Sequence, residues 1–279
     1  MFEPALLRNK KVLITGGGTG LGKSMGRRMA ELGADLVICG RRLEVLQAAA
    51  AEFKAELGAE VSTVRCDVRD PAAVEAMLDE IWRDRPLDAL VNNAAGNFIA
   101  QTHKLSPRAV DAVLNIVLHG SAYCTIGCGR RWIEAKRGGN VVSVVAAYAW
   151  GGAPFVVPSA MAKAGVLAMT RSLALEWGSK GIRCNAIAPG LFPTKGAWER
   201  LFPGERGDAE ALKAVPLGRF GEHIELANLA CYMISDQAGY LNGETITLDG
   251  GKQWSGEQSK LHGWSDADWE KIRPKPTGH

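Results

Sequence analysis

Between positions 143 and 163 the chain reads SVVAAYAWGGAPFVVPSAMAK, which brings Ser143, Tyr148, Ser159 and Lys163 into one short span. Ser159 and Lys163 are four residues apart, so on a helix they project from one face. A lysine there places positive charge beside a proton donor and favours the phenolate of Tyr148 once its proton has gone. Proton transfer is the chemistry to expect. Lys163 also reads as a surface lysine with its stem over a sheet, and Tyr148 as a ring that caps a strand end or an interface.

The elements that must position this span are a strand before it and a helix within it. Short apolar segments at 11–15, 34–39, 61–66, 87–91, 141–145, 183–187 and 244–248 alternate with helical patterns. Unbroken apolar strands separated by helices predict a parallel sheet covered on both faces, an α/β fold of three layers. Helices are expected from the glycine-rich turn to 32, over 43–57 with Gly58 closing, from Asp70-Pro71 onward, and from Ser106-Pro107 to about 135. Asp70 and Ser106 read as caps, with proline at the first helical position. Two more are expected over about 158–177 and over 222–234. The span 190–212 is polar and broken by Pro193, Gly196 and Pro203, as a mobile loop over a site would be. One domain over 1–250 is expected, followed by an extension over 251–279 that packs on the domain or on a neighbouring subunit. Trp254, Trp264 and Trp269 are that extension's apolar exceptions.

Residues 15–22, TGGGTGLG, follow the first strand and open a helix. Glycine lets the backbone turn tightly and approach a pyrophosphate, and the helix start offers free amide hydrogens and the positive end of its dipole. A dinucleotide is expected over Gly16, Gly17, Gly18, Thr19, Gly20 and Leu21. Strand two ends in Arg41 and Arg42 where a carboxylate would accept ribose hydroxyls, so an arginine fork for a 2′-phosphate is expected, and NADP(H) is favoured. Solvated helix-start residues are the alternative reading of that pair. Asp67 can accept from an adenine amino group or cap a loop, and Asn92, Asn93 and Gly96 form a polar segment suited to holding backbone and ribose.

The chain has 33 basic and 30 acidic residues, a formal net charge of +3 and 47% apolar residues, which argues against a nucleic-acid-binding face. Six cysteines without a CxxC pair read as buried filler in a reducing compartment. Cys124 and Cys128 can share a helix face, but the histidines supply no completing ligands, so no metal is expected. The opening MFEPALLRNKK does not read as a signal peptide, and no apolar run of about 18 residues is seen, so a soluble cytoplasmic protein without membrane contact is expected.

TGGGTGLG, NNAAG at 92–96, the lysine of AKAGV at 162–166 and Pro189-Gly190 together resemble the short-chain dehydrogenase/reductase family over nearly the whole chain. That resemblance implies a Rossmann-type doubly wound sheet of seven parallel strands, usually in homotetramers, and a serine, tyrosine and lysine at the site. The chain departs from the pattern: Ser159 stands four before Lys163 in place of tyrosine, Ala146 takes the place of the serine, and Val117 replaces the usual asparagine before Gly120.

A narrower branch, the 2,4-dienoyl-CoA reductases of the mitochondrial type, is similar in GGGTGLGK, CDVRDP, NNAAGNF, YAxxGxxFVVPSAxAKAGV and ELANLA. The resemblance implies NADPH-dependent reduction of 2,4-dienoyl-CoA to trans-3-enoyl-CoA, a reaction of fatty-acid β-oxidation. It implies Tyr148 as the acid, with Lys163, Asn97 and Ser159 beside it. It further implies that Arg41, Asp67, Lys163, Pro189, Gly190, Leu191 and Phe192 touch NADPH, and that Arg69, Phe98, Ser106 and Arg200 face the acyl-CoA. Phe98 and Trp150 would line the diene slot or sit in the core. Arg69, Arg200 and Lys195 would meet the charged end of CoA or remain solvated, and His119 is expected to be packed or partner-bonded. Two rivals stand beside this reading. One is an NADPH-dependent carbonyl or 3-oxoacyl thioester reductase, the other a nucleotide-binding subunit without turnover.

Overall fold

Seven strands pair in the order β3-β2-β1-β4-β5-β6-β7 and every pairing is parallel. They are β1 (Lys11–Thr15), β2 (Asp35–Gly40), β3 (Val61–Arg65), β4 (Ala89–Asn92), β5 (Gly139–Val144), β6 (Ile182–Pro189) and β7 (Thr245–Leu248). The computed structural model describes residues 3–194, 208–256, 261 and 263–273.

Side chains alternate across a strand, and β1 shows what that does here. Val12 and Ile14 enter one core with Met25 and Met29 of α1 (Gly20–Glu31), Phe53 of α2 (Leu43–Leu57) and Ala230. Leu13 enters the other core, with Leu78 of α3 (Pro71–Asp84) and with Cys128 and Trp132. Leu13 and Ile14 are fully buried, each contributing about 2 kcal/mol of transfer energy. Both faces of the sheet are therefore covered, and its strands read as continuous apolar runs. The chain leaves β3 at one edge and returns to β4 beside β1, so the strand order reverses between β1 and β4. A crevice opens there at the carboxyl ends of the strands.

The caps form as the sequence predicts. Asp70 accepts from the Ala72 amide at 2.9 Å and Ser106 from the Ala109 amide at 3.2 Å, each followed by proline at the helix start. The long helix after Ser106 is α4 (Pro107–Leu114), a π turn (Asn115–His119) and α5 (Gly120–Glu134). This stretch of 28 residues is, by length and composition alone, long and apolar enough to cross a membrane, although no unbroken apolar run marks it in the sequence. It packs on β4, β5 and α7 (Val157–Trp177), with Val113, Val117, Cys124 and Trp132 buried.

Three local features differ from the expectation. Residues 148–151 fold into a short helix, α6 (Tyr148–Gly151), too brief to show a 3.6-residue period in sequence. The end of the polar span over 190–212 is helical, α8 (Asp208–Leu212). Past β7 the tail contains a 3₁₀ turn (Lys252–Trp254) and α10 (Asp266–Ile272), with Trp264 and Trp269 in ring contact at 5.1 Å. The helix before β7 is α9 (His223–Ile234).

Candidate active site

A cleft of about 620 Å³ lies over the strand-order reversal. One end is built by the glycine-rich turn between β1 and α1. Gly16 and Gly20 hold left-handed φ values of 68° and 54°, and a Cβ on Gly16 would sit 3.2 Å from both the Ala94 Cα and the Asn93 amide. Asn93 fixes the turn, donating from Nδ2 to the carbonyls of Thr15 at 3.0 Å and Gly16 at 3.2 Å. Thr19 caps α1 by position but makes no side-chain cap bond, and the first turn of α1 carries no acidic residue. The amides there remain available, with the positive end of the helix dipole behind them.

These features fit the phosphates of a dinucleotide, and Gly16, Gly18, Thr19 and Leu21 line the cleft. Gly17 instead packs beneath the turn, where a Cβ would lie 2.5 Å from Ile38 Cγ2. Gly20 turns toward Thr194.

Arg41, Arg42 and Asp67 line the same end. Arg69 is drawn to Asp67 rather than to the acyl end: its Nε lies 2.9 Å from Oδ1 and its Nη2 2.5 Å from Oδ2. The Arg69 guanidinium holds the Asp67 carboxyl below the usual carboxylate range, with a smaller contribution from Arg41. The pair was hidden in sequence because two residues in a loop take no fixed relative direction.

The other end is built by β5, α6, α7 and the loop after β4. Tyr148 opens α6 and its Oη lies 3.1 Å from Ser159 Oγ on α7. Burial raises the phenol's pKa above its ordinary value, and the Ser159 bond partly offsets this. Lys163, one turn further along α7, is 7% exposed and donates from Nζ to the Val144 carbonyl. Burial alone lowers its pKa to about 8. Asn97 accepts from the Phe98 amide at 2.9 Å through Oδ1, which leaves Nδ2 as its free, donating end. Tyr148, Ser159, Lys163 and Asn97 all line the cleft, with Pro189, Gly190, Leu191 and Phe192 opposite.

Of the residues expected to face the acyl group, none that is described lines the cleft. Phe98 packs on a cluster of Val113, Val117 and Ala162 and does not line the cleft. Trp150 is half exposed and also lies off the cleft wall. Ser106 accepts from the Ala109 amide as the α4 cap and does not line the cleft, and Arg200 and Lys195 lie outside the described residues. Ile99, Ile116 and Val156 supply apolar wall instead. Ile116 carried no sequence signal because the π turn rotates it relative to the regular helical face. His119 is bonded to Asn115 Oδ1 at 2.8 Å. All six cysteines are buried thiols, and no group of three potential metal ligands occurs among the described residues.

The buried ammonium has a measurable consequence. Below pH 8 Lys163 is charged in both folded and unfolded chains, and its desolvation weighs fully against folding. Between about 8 and the ordinary 10.5 only the unfolded chain holds the proton, so this penalty recedes as pH rises. Lys163→Met removes the titration. The ligand-free variant's stability relative to the parent should fall by on the order of 3 kcal/mol across that window in denaturant titrations. A pH-independent difference would contradict the buried ammonium.

Comparison with known proteins accords with this geometry. A family model described as Enoyl-(Acyl carrier protein) reductase matches residues 16–253. The chain is 46% identical to Probable 2,4-dienoyl-CoA reductase 3 [(3E)-enoyl-CoA-producing] of Caenorhabditis elegans, covering 98% of this chain and 91% of that one. It is also 46% identical to Probable 2,4-dienoyl-CoA reductase [(2E)-enoyl-CoA-producing] of Bacillus subtilis (strain 168), covering 89% and 98%. Among solved structures, a short chain dehydrogenase from Bacillus anthracis superimposes with a TM-score of 0.83 at 44% identity, covering 91% of this chain and 99% of that one.

Proposed function

The chain belongs to the short-chain dehydrogenase/reductase family of oxidoreductases, and from that premise we propose that it reduces 2,4-dienoyl-CoA to trans-3-enoyl-CoA with NADPH. The observation that carries the reading is the Tyr148–Ser159 pair on the cleft wall beside Lys163, with the free amide end of Asn97 on the same cleft. A phenol has thus taken the proton-donor place in a chain where Ser159 stands four residues before the lysine. The names of the two relatives support the dienoyl-CoA substrate.

NADPH held by the glycine-rich turn, Arg41 and Lys163 would supply a hydride, which by the family resemblance the dienoyl thioester would accept at C5. The chain's own residues manage the charge that results. Negative charge spreads through the conjugated system to the thioester oxygen, where Tyr148 and Asn97 donate hydrogen bonds that strengthen as the charge grows. Lys163 keeps a positive charge near the phenol, favouring its ionised form after proton release. Ser159 orients the phenol by accepting from it or donating to it. The Tyr148 proton then goes to the α-carbon, the regiochemistry that the family resemblance implies, which leaves the 3-enoyl product. Protonation at the γ-carbon would leave the 2-enoyl product named for the Bacillus subtilis relative. Arg41 supports the choice of NADPH, since a guanidinium at the end of β2 offers paired donors to a 2′-phosphate.

The test is a substrate panel. NADPH should be consumed with 2,4-hexadienoyl-CoA and 2,4-decadienoyl-CoA and not with the 3-oxoacyl thioesters of the same lengths. Its advantage over NADH should shrink by about 10- to 100-fold in Arg41→Ala. Reduction of the 3-oxo compounds with the dienes untouched would replace this reading by the carbonyl reductase one. NADPH binding without turnover of any thioester would replace it by the non-catalytic one.

A further inference from the structure

His223 has no part in the mechanism above, yet it joins three segments that meet at the phosphate end of the cleft. Its Nδ1 lies 2.8 Å from Ser24 Oγ on α1, and its Nε2 lies 2.8 Å from the carbonyl of Pro193. A carbonyl only accepts, so Nε2 carries a hydrogen and Nδ1 faces the hydroxyl. A neutral ring accepts there from Ser24. A charged ring donates to Ser24, whose own hydrogen then goes to the Gly20 carbonyl 3.1 Å away. Either protonation state preserves the bridge.

The two ends of the bridge differ in rigidity. α1 and α9 are locked together: Met25 and Met29 share a core with Ala227 and Cys231, and Arg28 Nε donates to Asn228 Oδ1 at 2.8 Å. Pro193 belongs to a loop whose described part, Leu191 to Thr194, is non-helical and unpaired as strand. That loop supplies Leu191, Phe192 and Thr194 to the cleft, and a Cβ on Gly20 would stand 3.5 Å from Thr194 Cγ2. The segment thus crosses the phosphate-binding turn; the Gly221 amide on the Leu191 carbonyl at 3.0 Å and the buried Phe192 ring hold its start, and among the described residues His223 is the side chain that hydrogen-bonds its Pro193 end.

We infer that His223 is a positioning residue for the dinucleotide: through Ser24 and the Pro193 carbonyl it holds residues 191–194 in the cofactor-binding arrangement before the cofactor arrives. Without the bridge, binding must itself order that segment, and affinity falls by the cost of doing so. The inference rests on the cleft being the dinucleotide site and is independent of the acyl substrate.

The experiment is NADPH titration of the full chain by fluorescence, without thioester, in His223→Ala, His223→Gln, Ser24→Ala and the Ser24→Ala/His223→Ala double variant. Loss of one such bond predicts about tenfold weaker binding in His223→Ala, with a ligand-free Tm near that of the parent. Gln, whose amide can still donate to the Pro193 carbonyl, should recover most of the affinity. Ser24→Ala should weaken binding less, and should add nothing once His223 is absent. Faster amide exchange over 191–194 in ligand-free His223→Ala should accompany the loss. Unchanged affinity in His223→Ala would overturn the inference, as would a loss that follows the Tm across the variants and is not restored by Gln. A parent chain that bound NADPH but turned over no dienoyl-CoA would remove the proposed reaction and leave this inference standing.

Discussion

Tyr148→Phe is expected to lower turnover of 2,4-dienoyl-CoA by about 10²- to 10³-fold while NADPH still binds, the scale on which loss of one preorganised donor is felt. The substitution removes one oxygen and leaves the ring that α6 places on the cleft wall. Ser159, 3.1 Å from the lost hydroxyl, remains as a weaker donor, so activity should be reduced rather than abolished. The pH dependence gives a second readout. Burial raises the phenol's pKa above its ordinary value of 10, so the parent should keep its acid protonated through neutral and mildly alkaline pH. Lys163 loses its charge first, near pH 8, so an alkaline limb there should persist in Tyr148→Phe, whereas the limb that belongs to the phenol should lie higher and disappear in that variant. Undiminished turnover in the variant would remove Tyr148 from the reaction.

Asn97 should be comparably costly, and the replacement chosen decides what is learned. Asn97→Ala removes the amide donor and the acceptor for Phe98 N–H together, and about 10²-fold lower kcat is expected. Asn97→Asp keeps an acceptor for the Phe98 amide and nearly the same shape, but turns a carboxylate oxygen toward the position where negative charge develops. It should therefore be at least as damaging as Ala. An Asp variant close to the parent would mean that the side chain serves only to hold the loop after β4. Steady-state kinetics with one dienoyl-CoA at saturating NADPH separates the two roles.

Much of the scaffold was legible because its signals are local. Apolar runs marked the strands, and Asp70-Pro71 and Ser106-Pro107 marked helix starts that form with the expected cap bonds. The glycines before α1 marked a turn that indeed requires left-handed backbone at Gly16 and Gly20. The parallel sense followed from the alternation of strands and helices and the seven-stranded sheet from the family resemblance, whereas the order of the strands is a tertiary fact that periodicity does not carry. Along α7, four-residue spacing put Ser159 and Lys163 on the cleft.

What escaped the sequence depends on tertiary distance or on very short elements. α6 spans four residues, too few for a periodic signal, yet it sets the direction of Tyr148. The π turn changes which residues of the long helix face the site, bringing Ile116 into the wall. The family resemblance set Arg69 against the acyl-CoA; its guanidinium pairs with Asp67, a contact that no sequence pattern reports. His223 and Ser24 are 199 residues apart, and no local pattern reports their contact.

The central claim is that the Tyr148 phenol stands over the reacting thioester beside the nicotinamide. A crystal structure of the chain with NADP and a 2,4-dienoyl-CoA or its enoyl-CoA product tests it most directly. The account predicts the Tyr148 hydroxyl and the Asn97 amide nitrogen both within hydrogen-bond distance of the thioester oxygen, with Lys163 at the cofactor ribose. A thioester oxygen bound elsewhere, with the Tyr148 ring turned out of the cleft while both ligands are in place, would contradict it.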